Sequence, residues 1–111
     1  MIEVSVFPHP SGKILGFCVT GHSGTAKRGK DIVCAGVSAL AQTALLGIGE
    51  HLRREVDYSV ASGKLQMRLT SDPDELTEAI LRTMLLGLGE IARLSPKAIR
   101  IVERGDNDVS V

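Results

Sequence analysis

The sequence predicts an α+β fold in which two helices pack on a mixed or antiparallel sheet, in the order β-β-α-β-β-α-β. Three observations indicate this class. Short segments alternate apolar with polar residues, two long segments carry apolar residues at helical spacing, and turn-forming residues separate them. With 111 residues, the chain is expected to form one domain covering 1–111, since it can bury a core but is too short for two domains.

The chain is predicted to begin with a β-hairpin. Apolar residues alternate with polar ones from Ile2 up to a turn-forming stretch rich in proline, serine and glycine at 8–12. The second strand covers Ile14–Thr20, and its period of two places Phe17 on the face opposite Cys18.

A first helix is predicted from about Asp31 to Arg53, because apolar residues recur there at helical spacing. Asp31 is suited to be its N-cap. Two further strands, Val56–Val60 and Lys64–Thr70, flank an Ala-Ser-Gly turn and are expected to pair as a second hairpin.

The second helix is predicted to start within Ser-Asp-Pro-Asp-Glu at 71–75, with serine or aspartate as cap and proline in the first turn. It continues to about Leu94, Pro96 stops it, and Ala98–Glu103 forms the last strand. Its apolar residues cover more than one stripe, which exceeds what a single sheet contact requires. A homodimer that buries this surface is therefore expected.

Composition restricts the partners of the protein. The 13 Lys and Arg residues balance the 13 Asp and Glu residues, so no global charge favours nucleic acid or an anionic membrane. We expect no direct contact with nucleic acid, no apolar stretch of the roughly 18 residues that span a bilayer, and no leader peptide. These expectations indicate a cytoplasmic protein in which Cys18 and Cys34 stay reduced.

The segment from Gly21 to Cys34 carries the strongest chemical signal. It places His22 at the predicted end of the second strand and Cys34 in the predicted first turn of the first helix. An imidazole can take the proton of a thiol near neutral pH, and the positive end of a helix dipole favours a thiolate. The two residues are therefore a candidate base and nucleophile.

Residues around this pair are candidate supporting groups. Asp31 can orient the imidazole or cap the helix, and the spacing leaves both roles open. Ser38 lies one turn after Cys34, where it can donate a hydrogen bond to the sulfur or to a substrate, and Gln42 continues the same edge. A loop that is predicted to close over the substrate contains Gly21, Ser23, Gly24 and Gly29.

Other interpretations of the segment are weaker. Residues 24–31 differ by one residue from a phosphate-binding loop, but Asp31 puts a carboxylate where that loop needs a magnesium-binding hydroxyl. A zinc site built on His22, Asp31 and Cys34 lacks any paired-ligand spacing. An unpaired cysteine on an apolar helix is also commonly a core residue, and a histidine at a strand end is commonly a surface residue.

Residues 21–26 are Gly-His-Ser-Gly-Thr-Ala, and residues 29–40 are Gly-Lys-Asp-Ile-Val-Cys-Ala-Gly-Val-Ser-Ala-Leu. These two blocks resemble the signature of the bacterial ribosomal-processing cysteine proteases, and the similarity extends over the chain in length and element order. The resemblance implies a small, cytoplasmic, homodimeric enzyme. It also implies that His22 and Cys34 are the catalytic pair, with Asp31 and Ser38 beside it.

The activity that the resemblance implies is that of a cysteine endopeptidase without cofactor or metal. Its substrate would be a ribosomal protein precursor, large-subunit ribosomal protein twenty-seven, from which it removes a short N-terminal extension to support ribosome assembly. The alternative is a non-enzymatic, ribosome-associated binding module whose thiol has no chemical role.

Overall fold

A computed structural model describes residues 1–21 and 28–105 of the chain. Within these residues the element order is β-β-α-β-β-α-β, as predicted. The strands are β1 (Ile2–Pro8), β2 (Ile14–Thr20), β3 (Val56–Ala61), β4 (Lys64–Leu69) and β5 (Ile99–Glu103), and the helices are α1 (Arg28–Leu46) and α2 (Glu75–Leu94).

The strands form one mixed sheet in the order β3-β4-β2-β1-β5. Strand β1 pairs antiparallel with β2, β2 with β4 and β3 with β4, whereas β1 and β5 are parallel. A parallel neighbour requires a crossover, and α2 supplies it. The alternation predicted for β2 is confirmed, because Phe17 is buried in the core while Cys18 pairs with Ser5 and Gln66 on the other sheet face.

Both helices pack on one face of the sheet and close a single core. Burying each large apolar side chain in such a core contributes about 1.5–3 kcal/mol. The most deeply buried members are Val4, Phe17, Val37, Ile48, Met67, Leu81, Leu88 and Ile99.

Helix α1 begins at Arg28, so the prediction of a start at Asp31 is wrong. Lysine and arginine favour helix, and they extend it toward the N-terminus by a further turn. Asp31 therefore lies inside the helix and is not its N-cap. Cys34 consequently occupies the second turn of α1 and not the first.

The end of the first helical run differs from a regular α-helix. Residues Gly47–His51 form a π-helical turn, in which the Leu52 N–H donates to the Gly47 carbonyl at 3.0 Å. Arg53 has a φ of 56°, the left-handed conformation that commonly ends a helix. The helical run thus ends at His51, close to the predicted boundary at Arg53.

The same run is long and apolar enough to cross a membrane by length and composition, which corrects the expectation that no such stretch exists. Residues Ile32–His51 reach a mean hydropathy of 1.8 over their most apolar window, of which 22% is buried in the fold. Serine, glutamine and threonine interrupt this stretch, and Glu50 near its end is its one Asp, Glu, Lys or Arg residue. The core helices of soluble proteins reach the same length and hydropathy, so this property alone is weak evidence for a membrane location.

A capping box starts α2. The Asp74 carboxylate accepts from the N–H groups of Leu76 and Thr77, both at 3.0 Å, and the Thr77 hydroxyl accepts from the Asp74 N–H at 2.9 Å. Pro73 therefore precedes the cap and does not lie in the first turn as predicted. The Thr77 N–H, followed by the Arg54 guanidinium, lowers the pKa of Asp74 below its ordinary value of 3.8.

Replacing Asp74 by alanine is expected to lower the Tm by about 5 °C at neutral pH, because two N–H groups at the start of α2 lose their acceptor. The lowered pKa means that the ionised carboxylate favours the folded state above pH 3.8 and that this contribution disappears as the pH falls through the folded-state pKa. Thermal melts of the wild type and Asp74→Ala should therefore converge at strongly acidic pH. A gap that stays constant down to pH 2 would contradict this account.

Candidate active site

Cys34 lines a pocket of about 220 Å³ between α1 and the β3–β4 hairpin. The pocket is mainly apolar, with Ile2, Val19, Val37, Ala41 and Leu65 among its lining residues. Its polar lining side chains are those of Ser38, Gln42 and Lys64. Cys34 thus lies beside a cavity that can hold an apolar side chain, with Ser38 and Gln42 on the α1 side and Lys64 on the hairpin side.

The two cysteines lie in different environments. Cys34 is partly exposed on α1, whereas Cys18 is 9% exposed on the sheet face that the helices do not cover. Burial raises the pKa of the Cys18 thiol, which keeps it protonated at neutral pH. Neither cysteine forms a disulfide. Cys34 is therefore the better placed nucleophile of the two.

The helix face that carries Cys34 also carries the two polar residues singled out from the sequence. Gln42 donates from Nε2 to Ser38 Oγ at 2.7 Å, and both side chains are exposed. All three residues line the same pocket, which confirms that Ser38 and Gln42 continue the edge that begins at Cys34.

Gly21 anchors the chain where β2 ends. Its N–H donates to the Gly63 carbonyl at 2.9 Å, its φ is 90°, and a Cβ there would overlap the Met1 carbonyl oxygen. These contacts fix where the segment after β2 begins, and the part of Gly21 in a loop that closes over substrate stays a prediction. Gly29 lies within α1, so it is not part of a loop.

Changing Gly21 to alanine is expected to lower cleavage activity about tenfold or more, because the strained backbone must shift beside the pocket. The change should also lower the Tm. The measurement is kcat/KM for a peptide substrate together with a thermal melt. Gly105→Ala is the matched control, since nothing lies within 4 Å of its Cβ position. Equal activity of both variants and the wild type would contradict a positional role for Gly21.

Three of the predicted site residues, His22, Ser23 and Gly24, lie outside the described residues. The backbone of Asp31 lies in α1, and its side chain is also outside the described part. The approach of the His22 ring to the Cys34 sulfur thus stays a prediction. Of the two roles open to Asp31, the helix cap is excluded and orientation of the imidazole remains as a prediction.

Among the side chains that the structure describes, no three His, Cys, Asp or Glu residues gather into a metal-binding group. Cys18 and Cys34 belong to opposite faces of the sheet, which argues against a zinc site that uses both. His9 contacts Ser11 Oγ through Nδ1 at 2.9 Å and lies 3.3 Å from an Asp72 oxygen, in a turn at the other end of β1 and β2.

The opposite wall of the pocket was not predicted. Val60, Ala61, Gly63 and Lys64 form this wall, whereas the sequence predicted a hairpin here without assigning it to the site. The pairing of β4 with β2 places these residues near Cys34, and this pairing joins segments that are distant in the sequence. A local pattern carries no signal for such a contact.

Comparison with known proteins places this geometry in a family. The family model of the cysteine protease Prp matches residues 1–100. A ribosomal processing cysteine protease Prp of Staphylococcus aureus (strain Mu50 / ATCC 700699) is 30% identical over 104 residues, covering 91% of this chain and 97% of the relative.

Solved structures agree with this match. The essential ribosomal processing protease Prp from Staphylococcus aureus with a covalently linked product peptide is similar at a TM-score of 0.84 and 27% identity, over 94% of this chain and all (100%) of that chain. The same protease with a substrate peptide has a TM-score of 0.85 and 26% identity, over the same shares of 94% and 100%. The mixed five-stranded sheet with its two helices is thus the Prp fold, and the chain belongs to the Prp family of cysteine proteases.

Proposed function

We propose that the protein is a cytoplasmic endopeptidase that removes the N-terminal extension of large-subunit ribosomal protein twenty-seven, with Cys34 as nucleophile and His22 as base. The observation that carries the proposal is the position of Cys34 in a pocket that Gly21 also lines. His22 follows Gly21 directly in the sequence, which supports its choice as the base. The names of the relatives support a substrate from the ribosome.

The reaction is acyl transfer. His22 takes the thiol proton of Cys34, and the sulfur attacks the carbonyl carbon of the scissile bond. The C–N bond then breaks, and the protonated imidazole delivers its proton to the leaving amine. His22 next removes a proton from a water molecule, which attacks the thioester and releases the acid together with the free thiol. A product peptide is covalently linked in one structure of the Staphylococcus aureus relative.

The start of α1 limits what activates the sulfur. Unpaired N–H groups and the helix dipole act within the first turn, and Cys34 lies in the second. The first-turn position that the sequence predicts for Cys34, with a helix dipole favouring the thiolate, is therefore not part of the proposed mechanism. Activation of Cys34 rests on His22 and on the polar groups of the pocket wall.

Strand β3 offers a docking edge for an extended peptide. It pairs with β4 on one side and is the outer strand of the described sheet. Val60 and Ala61 belong both to this strand and to the pocket wall. A peptide that pairs with β3 would place an apolar side chain in the pocket and its main chain near Cys34.

Apolar surface on the helices supports a homodimer. Leu46 and Leu86 are 58% and 70% exposed. A groove of about 370 Å³ between α1 and α2 has an apolar lining that includes Leu40, Ile80 and Met84. A second copy that packs on this surface would remove it from water. Sedimentation that shows only monomer at micromolar concentration would contradict the dimer.

The proposed cleavage is tested by incubating the protein with the full-length ribosomal protein twenty-seven of its host and measuring the mass of the N-terminus. Loss of a discrete N-terminal peptide supports the proposal. An unchanged mass, combined with stable association of the two proteins, would instead support the ribosome-associated binding module. A precursor without an extension, left intact and unbound, would contradict both substrate proposals.

A further inference from the structure

The polar edge of α1 contains one contact that the acyl-transfer mechanism does not use. Gln42 Nε2 donates to Ser38 Oγ at 2.7 Å across one helical turn. Ser38 is in turn four residues beyond Cys34, so the three side chains follow one face of the helix and line the same pocket. The order along the pocket wall is therefore amide, hydroxyl and sulfur.

The direction of this hydrogen bond determines where the hydroxyl proton can go. The amide nitrogen of Gln42 only donates, so Ser38 Oγ is the acceptor and its own proton points elsewhere. Hydroxyls in helices commonly donate to the carbonyl four residues earlier, as Thr83 does to Ala79 at 2.6 Å. Ser38 Oγ accepts from Gln42 with a lone pair and keeps its own proton to donate to a group in the pocket.

We propose that Gln42 is a positioning residue that holds Ser38 so that the Ser38 hydroxyl donates to the ionised sulfur of Cys34. The inference rests on the proposed role of Cys34 as nucleophile. A hydrogen bond to a charged acceptor is stronger than one to a neutral acceptor, so the arrangement favours the ionised sulfur over the neutral thiol. Of the described pocket-lining residues, Lys64 is the one with a full charge, and the variants below leave it unchanged.

A structural role for the Gln42–Ser38 pair would have a different signature. Exposed polar pairs at this spacing stabilise a helix only slightly and do not alter the reactivity of a neighbouring sulfur. The reactivity of Cys34 is therefore the quantity to measure, because the two roles predict different values for it.

The test compares wild type with Gln42→Met, which keeps length and helix propensity but removes the donor. We expect alkylation of Cys34 by iodoacetamide at pH 6.5 to slow about tenfold, measured by mass spectrometry on the peptide that contains Cys34. We expect kcat to fall by a similar factor with KM unchanged, and the Tm to stay the same. Gln66→Met is the matched control, since Gln66 lies beside Cys18 on the uncovered sheet face and should leave Cys34 unaffected.

Two further variants distinguish the effect of the hydrogen bond from Gln42 from the effect of its side-chain shape. In Gln42→Glu the carboxylate only accepts, so Ser38 would turn its proton toward residue 42, and the loss should exceed that of Gln42→Met. In the Ser38→Ala background, Gln42→Met should cause no additional loss. Unchanged alkylation in Gln42→Met, or full reactivity in Gln42→Glu, would overturn the inference. Failure of the wild type to cleave the ribosomal precursor would refute the proposed substrate, while the alkylation rates still decide the role of Gln42.

Discussion

Replacing Cys34 by alanine is expected to lower peptide cleavage by at least about a thousandfold, to the background rate, because the proposed acyl-enzyme forms on the Cys34 sulfur. The fold should survive, since the residue is partly exposed on α1 and alanine has the highest helix propensity. Peptide affinity should also persist, because the proposed binding surface extends over the pocket and the β3 edge, most of which this change leaves intact. The measurements are kcat/KM, a thermal melt and the Kd of a substrate peptide.

Cys18→Ala is the matched control for this variant. Cys18 is the other thiol in the chain, and it lies on the sheet face that the helices leave uncovered. Its replacement should cost about 1 kcal/mol of stability through lost burial and leave kcat unchanged. Full activity in Cys34→Ala, or loss of activity in Cys18→Ala alone, would contradict the assignment of the nucleophile.

The largest expected effect on stability is at Gly16, in the middle strand of the described sheet. A Cβ at this position would overlap the Met67 carbonyl oxygen and lie 2.9 Å from the Arg68 Cα. Both atoms belong to the backbone of β4, which is hydrogen-bonded on both sides and cannot move away. Gly16→Ala is therefore expected to destabilise the protein by about 3 kcal/mol in urea denaturation.

Gly89→Ala provides the opposite case. Gly89 lies within α2, and nothing is found within 4 Å of its Cβ position. Alanine there reduces the conformational freedom of the unfolded chain and favours the helix, so stability should rise by about 0.5–1 kcal/mol. If the two variants shifted the urea midpoint equally, the crowding at Gly16 would not be the cause.

Local patterns in the sequence predicted most of the fold. The alternation in Ile14–Thr20 gives the observed bounds of β2, and the acidic segment before α2 contains the observed cap at Asp74. The predicted helix ends differ from the observed ones, because several neighbouring residues are each suited to begin or end a helix. The start of α1 was placed at Asp31 because aspartate is a favourable N-cap, but Arg28 already lies in the helix.

The sequence predicted several residues of the candidate site but not how distant segments come together around them. Cys34, Ser38 and Gln42 were identified from their spacing along one helix face, and the structure places them together. The hairpin wall around Lys64 was missed, because strand pairing over long separations has no local signal. The tight environment of Gly21 was missed for the same reason, since it depends on the carbonyl of Met1 and on Gly63.

The central claim, that Cys34 is the activated nucleophile, is tested most directly by iodoacetamide alkylation of the wild type at pH 6, with the two cysteines quantified separately. Cys18 is the internal reference, because burial raises the pKa of its thiol and keeps it unreactive. The account predicts that Cys34 reacts at least about a hundredfold faster than Cys18 and that His22→Ala removes most of this difference. Equally slow reaction of both cysteines, or fast reaction of Cys34 that persists in His22→Ala, would contradict it.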